Sequence, residues 1–257
     1  MTTPSSRFDG LTAIVTGGRG GIGGAVVDLL LDRGATVLSC DVDAAAVEDR
    51  PARGQVTQHR LDVTSPDDWQ QIVAVARHGR QVDVLVNAAG VQGDLGRADL
   101  VDGQLDHWHD VLAVNLTGTY LGCRTVLPAM SPGAAIVNVS SIAAFYPTAY
   151  NPAYGVSKAG VTQLTKTVAA IGAERGGIRC NSVHPGFVDT AMTAAITSSM
   201  AEGAPADPNA DFVERIPLGR PGAATEIAEL IAFLASKAAS YITGAELTID
   251  GGSRLVR

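Results

Sequence analysis

The sequence predicts an α/β fold: a doubly wound parallel sheet of about seven strands with helices on both faces. Three observations predict it. Short apolar runs alternate with amphipathic helical runs from end to end. Glycine, at 29 of 257 residues, gathers where those runs meet. No linker or internal repeat breaks the series, so crossover helices must join parallel strands. Leu11–Thr16 is apolar, short and closed by Gly17 and Gly18, as a strand buried on both faces should be. Ile22–Arg33 carries Ile22, Val26, Leu29 and Leu30 at helical spacing and stops at Gly34. Further strands are expected at Thr36–Cys40, Val56–Leu61, Val82–Asn87, Ala134–Val139, Ile178–Val183 and Glu246–Ile249. Helices are expected over Pro66–His78, Leu105–Met130, Ala153–Glu174 and Thr225–Ser236. The least patterned stretch, Ala191–Asp211, reads as part of a substrate lid over roughly 188–213. The chain from 1 to 257 reads as one domain.

Composition narrows the function. With 46% hydrophobic and 18% charged residues, the chain can bury a large core and is not a disordered segment. Net charge is −7, and the three lysines are Lys158, Lys166 and Lys237, so no basic patch invites nucleic acid. Cys40, Cys123 and Cys180 are odd in number and far apart, which fits buried thiols in a reducing cytoplasm and not a metal site. Met1–Asp9 is polar, so no secretory signal is expected, and no apolar run is long enough to span a membrane.

The first strand runs into Thr16-Gly17-Gly18-Arg19-Gly20-Gly21-Ile22-Gly23, where a helix begins. A diphosphate needs a tight bend, no obstructing side chains and free N–H groups at a helix N-terminus, and Gly17, Gly21 and Gly23 supply them. Asp41 closes the second strand, where a carboxylate accepts from both adenosine ribose hydroxyls and repels a 2′-phosphate. Its alternative role is a helix N-cap, which Asp43 could also fill. Arg19 pulls the other way, toward NADP. Asp41 is the nearer group to the 2′ position, so NAD is expected over NADP.

Tyr154 and Lys158 stand four residues apart in Ala153-Tyr154-Gly155-Val156-Ser157-Lys158, which on a helix puts both on one face. Alone, such a pair is an ordinary helical surface pair. Its context is stronger. Thr16-Gly17 with Gly21-Ile22-Gly23, Asn87-Ala88-Ala89-Gly90, Asn115, Ser141, Tyr154 with Lys158, and Pro185-Gly186 occur in the order and spacing of the single-domain short-chain dehydrogenase/reductases. The resemblance runs from Leu11 to Gly252. It departs at Ala88, where the family most often has a second Asn, and at Ala144, where a Gly often stands.

The resemblance implies a Rossmann-like sheet and roles for particular residues. Tyr154 would be the general acid/base and Lys158 its electrostatic tuner, because a nearby ammonium favours a phenolate. Ser141 would orient the substrate oxygen; Ser140, on the opposite strand face, is the lesser candidate. Asn115 would complete a proton relay, its alternative being a helix-bending side chain. Asp62 and Val63 would meet the adenine, Asn87 through Ala88, Ala89 and Gly90 the adenosine ribose. Pro185, Gly186, Val188 and Thr190 would hold the nicotinamide carboxamide. His184 reads as a strand-end packing residue.

Around that chemistry the sequence places Val91, Ala143, Phe145, Tyr146, Tyr150, Met192, Ile196 and Met200, with no Arg or Lys nearby in the chain. The expected substrate is an uncharged, hydrophobic secondary alcohol or its ketone: a cyclic alcohol, terpenoid or hydroxysteroid. The alternatives are an NADPH-dependent 3-oxoacyl-thioester reductase and, more remotely, a non-catalytic nucleotide sensor. The resemblance also implies a homotetramer, with a dimer as the alternative, and Ala159, Val161, Leu164, Val168 and Ala169 are the candidate interface residues.

Overall fold

The computed structural model describes residues 7–43, 54–77, 81–200 and 213–255, the side chains of 196–200 excepted. Seven parallel strands form one sheet: β1 (Thr12–Thr16), β2 (Thr36–Asp41), β3 (Gln55–Arg60), β4 (Val82–Asn87), β5 (Met130–Val139), β6 (Arg179–Pro185) and, last in the chain, β9 (Glu246–Ile249). Their spatial order is β3-β2-β1-β4-β5-β6-β9. A separate parallel pair joins β7 (Val188–Asp189) to β8 (Gly222–Ala223).

The near-continuous apolar strands have a physical cause, since alternate side chains enter different cores. Val15, Val37, Val84, Val86 and Val137 pack on one face against α1 (Gly21–Asp32) and α7 (Ala224–Ala235), through Val26, Leu30, Ile227 and Ile231. Ile14, Leu38, Leu85 and Ile136 pack on the other face. There they meet Trp69 and Ile72 of α2 (Pro66–Ala76), Leu121 and Val126 of α4 (Gly118–Val126), and Val168 of α5 (Pro152–Glu174). Each fully buried aliphatic side chain contributes roughly 1.5–3 kcal/mol.

Local signals set the helix starts. Ser65 caps α2 by accepting from the Asp68 N–H at 3.1 Å, with Pro66 in the first turn. Asn151 caps α5 by accepting from the Tyr154 N–H at 3.2 Å, which holds Tyr154 in that helix's first turn.

Three expectations need correction. The single helix Leu105–Met130 is four pieces: α3 (Leu105–Leu112), a π turn at Ala113–Thr117, α4, and a 3-10 turn at Leu127–Ala129. The widened turn surrounds Asn115, whose amide binds both backbone groups of Val91, donating to its carbonyl at 2.9 Å and accepting from its N–H at 2.8 Å. The fifth strand starts at Met130 and not Ala134, because the sheet register shifts between Val82 and Val84 and lets Met130 pair with Val82. The unpatterned stretch also begins as a helix, α6 (Ala191–Met200). The rest of the expected lid at 201–212, the side chains of Ile196 and Met200, and the expected end of α2 at His78 lie outside the described residues.

Candidate active site

Between β1 and β4 the strand order reverses, and the helices that follow these strands leave the sheet on opposite faces. A crevice opens at the carboxyl ends of the strands there. It is a cleft of about 790 Å³.

At its nucleotide end the turn after β1 contributes Gly17, Gly21, Ile22 and Gly23. Gly17 has φ +64°, and a Cβ on it would stand 2.9 Å from the Ala89 backbone. The turn therefore lies directly against the loop after β4. Helix α1 starts at Gly20–Gly21 with no side-chain cap, so its first N–H groups and positive dipole end are offered to the cleft. This cradle fits a diphosphate.

Asp41 lines the cleft at the end of β2 and accepts from the Arg19 N–H at 3.2 Å. Arg19 is not among the lining residues. Its guanidinium donates to the Asp43 carbonyl at 2.7 Å and lies 3.5 Å from the Asp43 carboxylate. Whether Asp41 or Asp43 also caps a helix concerns residues 44–53, outside the described chain. Asp62 and Val63 line the next wall. The Asp62 carboxylate accepts from the Thr64 N–H and hydroxyl at 2.9 and 2.7 Å.

Ala88, Ala89 and Gly90 line the cleft, and Asn87 does not. The Asn87 amide is buried and donates to the Asn138 side chain at 2.8 Å, and the Asn138 amide donates to the Thr165 hydroxyl at 2.9 Å. This chain ties β4, β5 and α5 together under the site. Across the cleft stand Pro185, Gly186, Val188 and Thr190, at and beyond the end of β6.

The reacting end gathers Ser141, Tyr154 and Lys158 in the same cleft. The Ser141 side chain is near enough to Tyr154 to pull its pKa down. The Lys158 ammonium lies 5.6 Å from the Tyr154 ring centroid and donates to the Val139 carbonyl at 3.0 Å. Asn115 stands one layer behind: a Cβ on Gly90 would meet Lys158 Nζ at 3.2 Å and Asn115 Oδ1 at 3.3 Å. Asn115 also donates to the Ser157 hydroxyl at 3.1 Å. Ser140 also lines the cleft, but its hydroxyl donates to the Lys158 carbonyl at 2.9 Å, fastening α5 to the strand end.

Burial governs both titratable groups. It pushes Tyr154 up to about 12, with Ser141 pulling down and Tyr150 adding to the rise. It pushes Lys158 down to about 8. The lowering of Tyr154 by Lys158 that the resemblance implies does not emerge in the chain alone, where burial dominates.

Ala143, Tyr146, Tyr150 and Met192, the expected substrate residues, line the same cleft, as does Val91. The sequence reading missed Gln92, Phe187, Ile216 and Ser253, and also Arg215. Arg215 brings to the cleft a second cation beside Lys158, one that the sequence near the expected substrate residues does not show. It is distant in the chain from Tyr154, and only the fold brings it there. The β7–β8 pairing, Val188 to Gly222, is what draws that part of the chain in. Among the described residues no helix is long and apolar enough to cross a membrane, and no cluster could hold a metal ion.

Comparison with known proteins agrees with this geometry. A family model described as enoyl-(acyl carrier protein) reductase matches residues 17–254. The chain is 39% identical over 255 residues to the 3-oxoacyl-(acyl-carrier-protein) reductase FabG of Thermotoga maritima, covering 96% of this chain and 98% of that one. It is 40% identical over 248 residues to the cis-4-hydroxycyclohexanecarboxylate dehydrogenase of Sinomonas cyclohexanicum, covering 93% and 95%. The crystal structure of levodione reductase superposes with a TM-score of 0.88 at 27% identity, covering 98% of this chain and 100% of that one. These relatives are dehydrogenases and reductases acting on CH–OH groups, and the chain belongs with them to the short-chain dehydrogenase/reductase family of nicotinamide-dependent oxidoreductases.

Proposed function

We propose that this protein uses NAD to interconvert a hydrophobic secondary alcohol, of cyclic type, and its ketone. The observation that carries the reading is the meeting of Tyr154, Ser141 and Lys158 with the glycine turn and Asp41 in one cleft. Bound nicotinamide would accept or return the hydride at the carbinol carbon. The chain's own residues handle the rest. Ser141 holds the substrate oxygen, and Tyr154 takes the hydroxyl proton in oxidation and returns it in reduction. Lys158, still largely protonated at neutral pH with a pKa of about 8, stabilises the phenolate and holds the nicotinamide ribose. Asn115 supports the lysine from behind as part of a proton relay.

Asp41 at the cleft and Arg19 turned to Asp43 support NAD over NADP. The ribose hydroxyls would meet a carboxylate there, and a 2′-phosphate would meet like charge. The apolar wall of Val91, Tyr146, Tyr150 and Met192 supports a hydrophobic ring. The relatives named for hydroxycyclohexanecarboxylates support a cyclic alcohol, and Arg215 leaves room for a carboxylate on it. A second reading, an NADPH-dependent 3-oxoacyl-thioester reductase, is favoured by the similarity to the Thermotoga reductase. Against it stand Asp41 and a net charge of −7, which suits an acidic carrier poorly. We further read the chain as one catalytic domain with its lid over roughly 188–213, working as a cytoplasmic homotetramer.

The test is a panel of cyclic alcohols, including the 4-hydroxycyclohexanecarboxylates, with NAD and NADP, run beside 3-oxoacyl thioesters with NADPH. Turnover of the alcohols with NAD is expected. Tyr154→Phe should lose at least about a thousandfold in kcat while binding NAD as before. Turnover of the thioesters alone would favour the second reading, and an active Tyr154→Phe would remove Tyr154 as the base.

A further inference from the structure

His184 lies outside the reacting trio, yet one of its ring nitrogens bonds a member of it directly. It sits on β6, completely buried, directly below the cleft floor formed by Pro185 and Gly186. Its Nδ1 is 3.1 Å from the backbone carbonyl of Ser141. A carbonyl only accepts, so Nδ1 carries the proton. Nε2 of the neutral ring is then the acceptor for the Ser182 hydroxyl at 2.8 Å. Burial pushes the His184 pKa down, keeping that neutral form; Glu246, Arg254 and Lys158 are the charged groups that act on it.

The ring is also held from above. Phe145 stacks on it with centroids 4.6 Å apart and planes at 29°. Arg254 lies over the same Phe145 ring at 4.0 Å and donates to the Thr248 hydroxyl at 2.9 Å. Thr248 is the register partner of His184 across β6 and β9. The column therefore closes on itself, from β6 through the loop after β5 to the C-terminal turn and back to β9.

What the column grips is the peptide that aims Ser141. The Ser141 carbonyl also accepts from the Ala144 N–H at 3.1 Å, and the Ser141 hydroxyl oxygen accepts from the Ala143 N–H at 3.1 Å. Those bonds shape the turn but belong to the same short segment. The Ser140 N–H donates to the Val183 carbonyl of β6 at 2.8 Å, and His184 is the bond that ties Ser141 itself to that strand. We propose that His184 is a positioning residue: its Nδ1–H, clamped by the Phe145–Arg254 stack, sets the Ser141 hydroxyl against Tyr154. This rests on the reading of Ser141 and Tyr154 as the groups that handle the substrate oxygen. Misplacing such a group by a fraction of an ångström slows the chemical step and leaves nucleotide binding alone.

Three variants separate positioning from packing. His184→Asn keeps a donor at the Nδ1 position, His184→Gln moves it to the Nε2 position, and His184→Leu keeps volume without a donor. On the full chain, kcat for a turned-over alcohol should fall about tenfold or more in the Gln and Leu variants. The Asn variant should stay within about threefold of wild type, and the Kd for NAD should be unchanged in all three. Three variants alike in kcat, whether all active or all impaired, would overturn the proposal. So would losses confined to KM or to NAD affinity. Should Leu fail to fold, the Asn and Gln pair decides. The underlying reading fails separately, if wild type turns over no alcohol or Tyr154→Phe stays active.

Discussion

Asp41 and Arg19 show how one residue's neighbours decide its chemistry. The sequence sets them as rivals for the 2′ position, whereas the fold turns the guanidinium to Asp43 and leaves the carboxylate at the cleft. Asp41→Ala should cut kcat/KM for NAD about tenfold or more, the worth of a charged hydrogen bond, and raise it for NADP. An unchanged ratio of the two would remove Asp41 as the selector. Lys158 carries a pH signature. Its folded pKa of about 8 lies below its ordinary 10.5, so between those values the unfolded chain holds a proton that the folded chain has released. Stability from this site therefore rises with pH across that window, at up to about 1.4 kcal/mol per pH unit. Tyr154, raised from 10.0 to about 12, works in the opposite direction between those values. Denaturant titrations of wild type and Lys158→Met from pH 7.5 to 9.5, below the Tyr154 window, should differ by that positive slope.

Among the elements, the broken helix between β4 and β5 is where the site's support is built. The π turn sets Asn115 against Val91 and Ser157, and α4 then packs so closely that glycine is required at position 122. A Cβ there would stand 2.6 Å from Asn87 Oδ1 and 2.8 Å from the Trp69 ring. Both neighbours are locked, Asn87 by Asn138 and Trp69 by its donation to the Val63 carbonyl at 3.0 Å. Gly122→Ala should cost about 1–3 kcal/mol by overpacking, despite the better helix propensity of Ala. It should appear as a lower urea midpoint at constant m-value. A midpoint equal to or above wild type would mean that the α2–α4 contact yields more easily than its geometry implies. The helical period of 105–130 was legible in the sequence. The break was not, because the bonds that widen it come from Val91, which no local pattern connects to Asn115.

At the scale of the molecule, helix faces distribute between core and surface differently from the sequence reading. Of the five residues expected to face a partner subunit, Val161, Val168 and Ala169 are buried in the chain's own core, and Leu164 packs against it. Ala159 alone is exposed. The large apolar side chains exposed on α4 and α5 are Tyr120 at 46%, Val156 at 48% and Ile171 at 43%. If the chain assembles as a homotetramer through α4 and α5, these are the residues that meet. Light scattering should give a tetramer for wild type and smaller species for a Tyr120→Ser, Val156→Lys double variant. A tetramer in both would move the interface elsewhere.

Local chemistry was enough to read seven strands, most helix limits, the glycine turn, and the Tyr154–Lys158 face. Each depends on residues within a turn or two of one another, where period, capping and backbone freedom act directly. Tertiary structure alone decided what lies far apart in the chain. It withdrew Asn87 into the Asn138 network, turned Arg19 to Asp43, brought Arg215 to the cleft and stacked Arg254, Phe145 and His184 beside Ser141. A hydrogen bond or a stack is selected by distance in space. Sequence pattern carries that distance only where the backbone itself spans it.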